Sequence, residues 1–252
     1  MKHFTVITLF PEFVDAFRRT GIVGRCRDRG LVDIETVNPR DFAADRRGTV
    51  DDAPYGGGPG MVMMAAPLQA AIDAARRRVP SIAQVVYLSP QGERFEQDGI
   101  PALLEFDHLI LLAGRYEGID ERVIERAVDR ELSVGDFVVS GGELPAMSVI
   151  DALTRTLPGA LGDPLSAVQD SFVDGLLDCP HYTRPEIVDG AAVPAVLLSG
   201  DHGAIARWRR RQRLWRTRAR RPDLLGRLDL SAEDRRLLAT EDDAGSGTEE
   251  EV

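Results

Sequence analysis

The chain has 252 residues, 43% hydrophobic and 29% charged, which suits one large soluble domain or a domain with a smaller companion. No run approaches the roughly eighteen apolar residues of a membrane span, and the opening Met-Lys-His-Phe-Thr-Val has no signal-peptide layout, so a cytoplasmic protein is expected. The formal charge of −10 argues against a nucleic-acid partner only until its distribution is read: nine arginines and no acid lie between Arg207 and Arg221, while six carboxylates and no base lie from Glu241 to Val252.

Residues 3–10 (HFTVITLF) read as a buried first strand, followed by a helix start at Pro11-Glu12. Residues 32–37 alternate like a second strand. Residues 84–89 (QVVYLS) and 108–113 (HLILLA) are short apolar runs ending in turn residues, the pattern of parallel strands buried on both faces. Helical character runs over 63–78, 95–105, 119–128 and 144–157. Strands alternating with helices predict an α/β domain with a parallel sheet covered on both sides. After Pro158-Gly159 the pattern breaks, and 160–180 reads as a linker or mobile loop. A mainly helical unit follows, with its clearest helix at 204–219, entered near Asp201 and stopped before Pro222. Residues 241–252 are expected to be a disordered acidic tail.

Glycine-bearing loops end the predicted strands at 87–92 (YLSPQG), 114–120 (GRYEGID) and 133–143 (SVGDFVVSGGE). In an open α/β sheet ligands sit beyond the carboxyl ends of the strands, and glycine lets a ligand approach the main chain. Three such loops suit a flat, adenine-like ring held by backbone groups. Each one alone is equally a tight turn that needs glycine anyway. No G-x-G-x-x-G or P-loop pattern is present. A fourth glycine cluster, 51–61 (DDAPYGGGPGM), is either a flexible loop or a lid over a substrate.

On the predicted helix, Arg207, Arg210, Arg211, Arg218 and Arg221 recur at helical spacing and form a cationic stripe. Trp208 and Trp215 share another face, able to dock on the protein or to stack on a base. Such a stripe suits RNA phosphates, with binding that weakens steeply as salt rises. The alternative is a solvated helix neutralised by the acidic tail. A membrane-surface helix is disfavoured by its thin apolar face. The histidines His3, His108, His181 and His202 are scattered, and Cys26 and Cys179 fit neither metal nor disulfide spacing, so no metal cluster is expected.

The segments VDDAPYGGGPGM, YLSPQG, GRYEGID, SVGDFVVSGGELPAM, DSFVDGLLDCPHYTRPE and VLLSGDHGAIARWR, in this order, resemble the TrmD-type tRNA (guanine-N1)-methyltransferases. The resemblance runs from the first strand to about residue 226. It implies a SPOUT-type α/β domain with a deep trefoil knot over 1–159, the linker 160–180 and a small helical tRNA-binding domain over 181–240. It also implies a homodimer whose active sites are shared between chains. S-adenosylmethionine is expected against Tyr87, Leu88, Ser89, Pro90, Gly114, Tyr116, Glu117 and Gly118, and against Ser133, Val134, Gly135, Asp136, Phe137, Val138, Val139, Gly141, Gly142 and Pro145.

The resemblance further implies Asp170 as general base and Arg155 as its partner, acting on the guanine at tRNA position 37. Guanine N1 must lose a proton before it attacks, and the charge then moves to O6, so a carboxylate and a guanidinium answer the two needs. The target base would be flipped from the anticodon loop into a pocket between chains. His181, Tyr182, Arg184, His202, Arg207, Arg210 and Arg211 are the expected RNA contacts. Mg2+ is implied as a loosely held, hydrated ion. Two departures stand out: Gln169 where the family often has Glu, and Phe137 where it has a tyrosine. Rival readings are a related knotted methyltransferase acting on ribosomal RNA and a non-catalytic RNA-binding protein.

Overall fold

The two uninterrupted apolar runs become neighbouring inner strands of a parallel sheet. In the computed structural model, which describes residues 1–163 and 165–240, β1 (Lys2–Ile7) leads through α1 (Pro11–Phe17) and α2 (Gly21–Asp28) to β2 (Val32–Val37). A two-residue ribbon, β3 (Asp51–Asp52) with β4 (Val62–Met63), precedes α3 (Ala65–Arg76) and β5 (Ala83–Arg94). The alternation continues with α4 (Ile100–Leu104), β6 (His108–Ala113), α5 (Glu121–Ala127), β7 (Arg130–Ser133) and α6 (Glu143–Thr156). The five-stranded sheet has the order β2-β1-β6-β5-β7 and is parallel throughout. The expected α/β class with a central parallel sheet is the one observed.

All six residues of β6 are buried. Leu109 and Leu111 face one layer with Phe4, Val6 and the α6 residues Val149, Ile150 and Leu153. Ile110 and Leu112 face the other, with Ile7, Val85 and the α3 residues Leu68 and Ile72. This period-two division between two cores is why the strand reads as a continuous apolar run. His108 at its start is wholly buried, its Nε2 2.9 Å from Thr5 Oγ1. Burial holds its imidazole below the usual histidine range, helped by the neighbouring His3.

Several boundaries differ from the sequence reading. β1 stops at Ile7 because Thr8 turns away, its hydroxyl accepting from the Phe10 N–H at 2.9 Å. β5 runs on to Arg94: its pairing with β7 skips register between Leu88 and Glu93, so Ser89 to Gly92 loop out within one strand. The helix expected over 95–105 divides into a single 3-10 turn and α4, where Pro101 in the first turn has no N–H to extend a helix from upstream. Among the described residues no helix is long and apolar enough to cross a membrane.

The chain divides into two compact units between Ala167 and Val168, within α7 (Leu165–Val168). The segment expected as a linker, 160–180, is therefore split between them. In the first unit Ala160 joins the core. In the second, the Leu177 N–H donates to Thr217 Oγ1 at 2.9 Å and the Asp178 N–H to Ser171 Oγ at 2.9 Å.

The second unit contains a hairpin, β8 (Ile187–Val188) with β9 (Ala191–Ala192), then α8 (Ala195–Leu198), α9 (His202–Arg220), α10 (Pro222–Leu225) and α11 (Ala232–Ala239). α9 begins where its cap predicts, the Asp201 carboxylate accepting from the Ala204 N–H at 3.0 Å. It ends just before Pro222. Its apolar face buries Leu214 and Trp215, and the Trp215 indole N–H donates to the Leu237 carbonyl at 3.1 Å. The acidic tail expected at 241–252 lies outside the described residues.

A bidentate pair ties α9 to α11: Arg210 Nε and Nη2 donate to the two oxygens of Asp234 at 2.8 and 3.0 Å. Asp234 also completes a capping box with Ser231. The Arg210 hydrogen bonds, with help from Ser231, hold the Asp234 carboxyl down to about 2. A depressed carboxylate stabilises the fold above its unfolded pKa and loses that contribution as pH falls through the folded one. The shift is worth about 2 kcal/mol. Asp234→Asn is expected to lower urea stability at pH 7 by that order, with the gap from wild type roughly halved near pH 3.

Candidate active site

The carboxyl ends of β5, β6 and β7 lie on one side of the sheet, as they must in parallel strands, and the glycine-bearing loops that follow them enclose a cleft of about 200 Å³. Tyr87, Leu88, Ser89 and Pro90 line it from β5, and Gly114, Tyr116, Glu117 and Gly118 from the loop after β6. Ser133, Val134, Gly135, Phe137, Val138, Val139, Gly141 and Gly142 line it from the loop after β7, with Pro145 at the start of α6. Of the residues expected against a cofactor, only Asp136 is missing. Its exposed carboxylate turns outward and pairs with Arg94 Nη2 at 2.7 Å. Arg115 and Ser140, which lie within the predicted loops, also line the cleft, as does Leu132, though none of the three is among the residues expected against the cofactor.

Close approach explains one glycine in particular. A Cβ on Gly142 would lie 2.6 Å from Ala113 Cα, and the Gly142 N–H donates to the Gly114 carbonyl at 3.0 Å. The loop after β7 is thereby pulled onto the end of β6. Tyr116, also in the cleft wall, adopts a positive φ of 60°. Burial raises the Tyr87 phenol, with Glu131 and Glu121 adding to it. Burial also raises the Tyr116 phenol, with a hydrogen bond to Asp51. Both phenols are therefore uncharged at neutral pH.

Beneath the cleft sits a charge that no spacing rule reveals. Glu143, the first residue of α6, is 1% exposed. Its Oε1 accepts from the Thr8 hydroxyl at 2.7 Å, and its Oε2 lies 2.8 Å from Arg115 Nη2. Arg115 also donates to the Ser140 carbonyl at 3.1 Å, and its guanidinium lies 4.4 Å from the centre of the Phe10 ring. The end of β1 and both later loops are thus tied to one carboxylate.

The fourth glycine cluster is joined to this site at its base. Glu117 N–H donates to Met61 O at 2.9 Å, Met63 N–H to Gly118 O at 3.0 Å, and Asp120 N–H to Met63 O at 3.1 Å. Its tip is open, with Tyr55 fully exposed.

The expected catalytic pair belongs to two units. Arg155 lies in the last turn of α6 in the first, and Asp170 in the bend after α7 in the second; both are half-buried. Within the second unit, His181, Tyr182 and Arg184 line a large cavity with Leu197, Ile205 and Arg209. The Tyr182 ring lies 6.4 Å from Trp208. His202 opens α9 and is exposed, as is Arg207.

The arginine stripe is less uniform than its spacing predicts. Arg210 is engaged by Asp234 and, at 2.9 Å, by Asp174, which Arg213 also grips. Arg221 pairs with Asp223 at 2.7 Å. Arg211 lies over the Trp215 ring at 4.9 Å. Arg210 thus also serves the packing of its own unit. The exposed arginines of the run are Arg207, Arg209, Arg218, Arg220 and Arg221. Of the two tryptophans, Trp215 docks on the protein.

Glu143→Ala removes one partner of a buried pair and leaves Arg115 with an uncompensated charge. A loss of about 3–5 kcal/mol in denaturant unfolding is expected, with a smaller loss for Glu143→Gln, which keeps the Thr8 hydrogen bond.

The family model described as tRNA (Guanine-1)-methyltransferase TrmD matches residues 1–227. A tRNA (guanine-N(1)-)-methyltransferase of Shewanella woodyi is 57% identical over 234 residues, covering 93% of this chain and 94% of the relative. One of the same name from Tolumonas auensis is 58% identical over the same shares. A third, from Halorhodospira halophila, is 57% identical over 237 residues, 94% of this chain and 90% of the relative. These matches reach through the cleft loops and α9, and they answer the two rival readings in favour of tRNA and of catalysis. The chain belongs to the tRNA (guanine-1)-methyltransferase TrmD family and is an enzyme of that kind.

Proposed function

We propose that the chain moves a methyl group from S-adenosylmethionine, held in the cleft beyond β5, β6 and β7, to N1 of the guanine at position 37, beside the anticodon. The cleft itself carries this reading. Its lining is mostly glycine, apolar and aromatic residues, with Arg115 and Glu117 the charged members, and it lies beyond the carboxyl ends of parallel strands, where an open α/β sheet takes its ligands.

When bound, S-adenosylmethionine supplies an electrophilic methyl on a sulfonium, the C–S bond breaking as the N1–C bond forms. The Asp170 carboxylate takes the N1 proton, which frees the lone pair that attacks. Arg155 donates to O6, where the negative charge gathers as that proton leaves. These two residues lie in different units, which suits a site completed by a second copy of the chain in a homodimer. The reading carries with it the knotted SPOUT form of the first unit over 1–159, a tRNA-binding role for 181–240, and a cytoplasmic location where tRNA is met.

Mg2+ belongs to the same proposal only as a hydrated ion. Among the described residues, the cluster with ligand-like spacing contains a thiol and an imidazole, donors that do not suit Mg2+.

Unmodified tRNA with guanine at position 37 and labelled S-adenosylmethionine give the direct test. Asp170→Ala is expected to lose about 10²–10⁴-fold in methyl transfer, and Arg155→Ala about 10²–10³-fold, both with cofactor affinity retained. Absence of N1 label from wild-type reactions would sink the substrate assignment, and an active Asp170→Ala the base assignment. For the RNA face, the slope of log affinity against log salt is expected to fall by about one for Arg207→Ala, and by the same for Arg220→Ala. An unchanged slope removes those arginines from the interface.

A further inference from the structure

Outside the methyl-transfer machinery, three donor side chains of the second unit converge on one point. A carboxylate oxygen of Asp178, the Cys179 Sγ and an imidazole nitrogen of His181 all lie within 4.8 Å of one another. His181 Nε2 is 2.8 Å from Asp178 Oδ2. Cys179 is buried, Asp178 half-buried and His181 exposed, so the group has one side in the core and one open to solvent.

The backbone beneath it is fixed before any ligand arrives. Leu177 N–H is held by Thr217 Oγ1 of α9 at 2.9 Å, and Asp178 N–H by Ser171 Oγ at 2.9 Å. The Cys179 N–H closes on Asp178 Oδ1 at 2.7 Å. Pro180 stands between the thiol and the imidazole and restricts the chain that separates them.

We propose that Asp178, Cys179 and His181 form a binding site for one first-row divalent cation of borderline softness, Zn2+ or its spectroscopic substitute Co2+. Water fills the remaining position. Thiolate and imidazole together select such ions over Mg2+, which prefers oxygen donors and keeps its own water. With metal–sulfur and metal–nitrogen bonds of about 2.3 and 2.0 Å, donors in a tetrahedral site stand about 3.5 Å apart. Closure from the observed spacing asks for at most about 1.3 Å of movement, which the exposed His181 ring can make by rotation. The thiol proton goes to solvent as the metal–sulfur bond forms, and His181 exchanges its link to Asp178 for the metal.

The site stands beside a cavity of about 920 Å³ that His181 lines with Tyr182, Arg184 and Arg209. A bound cation therefore withdraws the one imidazole that lines this cavity.

The test uses the untagged full-length protein, stripped with a chelator and titrated with Co2+ alone. About one equivalent is expected to bind, with a thiolate-to-cobalt charge-transfer band and the strong visible bands of four-coordinate cobalt. Zn2+ is expected to bleach both, and excess Mg2+ to leave them unchanged. Cys179→Ser removes the charge-transfer band, and His181→Ala weakens Co2+ binding by more than about tenfold. Cys26→Ser, which alters the thiol buried in the other unit, keeps the band. Circular dichroism checks that each variant is folded. The proposal is overturned if saturating Co2+ gives no charge-transfer band, or if the band survives Cys179→Ser or depends on Cys26.

Discussion

A carboxylate taken out of water must be met by donors on every side, and Glu143 imposes that condition on the whole cleft. The cost of burying it is several kcal/mol, offset by the Arg115 guanidinium and the Thr8 hydroxyl. Those partners come from the loop after β6 and from the end of β1, while Glu143 opens the helix after the β7 loop. Its position in the first turn of α6 also sets its charge against the positive end of the helix dipole. Three segments far apart in sequence are therefore held in register by one side chain. Arg115 is thereby both a lining residue of the cleft and the partner of the buried carboxylate.

The second unit solves the opposite problem, that of many like charges on one helix. α9 carries most of the cationic run, and Asp174 and Asp234 neutralise part of it internally through Arg210 and Arg213. Arg211 is spread over an aromatic ring. What remains outward is a smaller set of arginines, relieved of part of the repulsion that the full run would create. The acidic overall charge of the chain and a cationic surface are thus compatible, because the neutralisation is local.

Most of the sheet could be read from the sequence because its signal is strong and short-range. β2 and β6 match their predicted limits, since each is an alternating or continuous apolar segment ended by a turn residue. α9 was legible from its Asp201 cap and its stop at Pro222. β7 was not delimited: it has four residues, begins with Arg130-Glu131, and takes its strand character from pairing with β5. The cleft lining fell within glycine loops at strand ends, whereas the pairing of Arg115 with a buried Glu143 left no sign there. A buried ion pair leaves no periodic trace. The same limit explains Arg210, whose partners lie 24 and 36 residues away. Helical spacing records which residues share a face, not what covers it.

The base of the 51–61 segment is hydrogen-bonded to the loop that carries Glu117, while its tip at Tyr55 touches nothing within its own unit that hides it. Length is therefore constrained at the ends of this segment and unconstrained at its crown. Extra residues placed beside Tyr55 would add only the slowly growing entropy of a longer loop, leaving the hydrogen bonds below intact. The crown is thus the part of the segment that the hydrogen bonds at its base leave unconstrained.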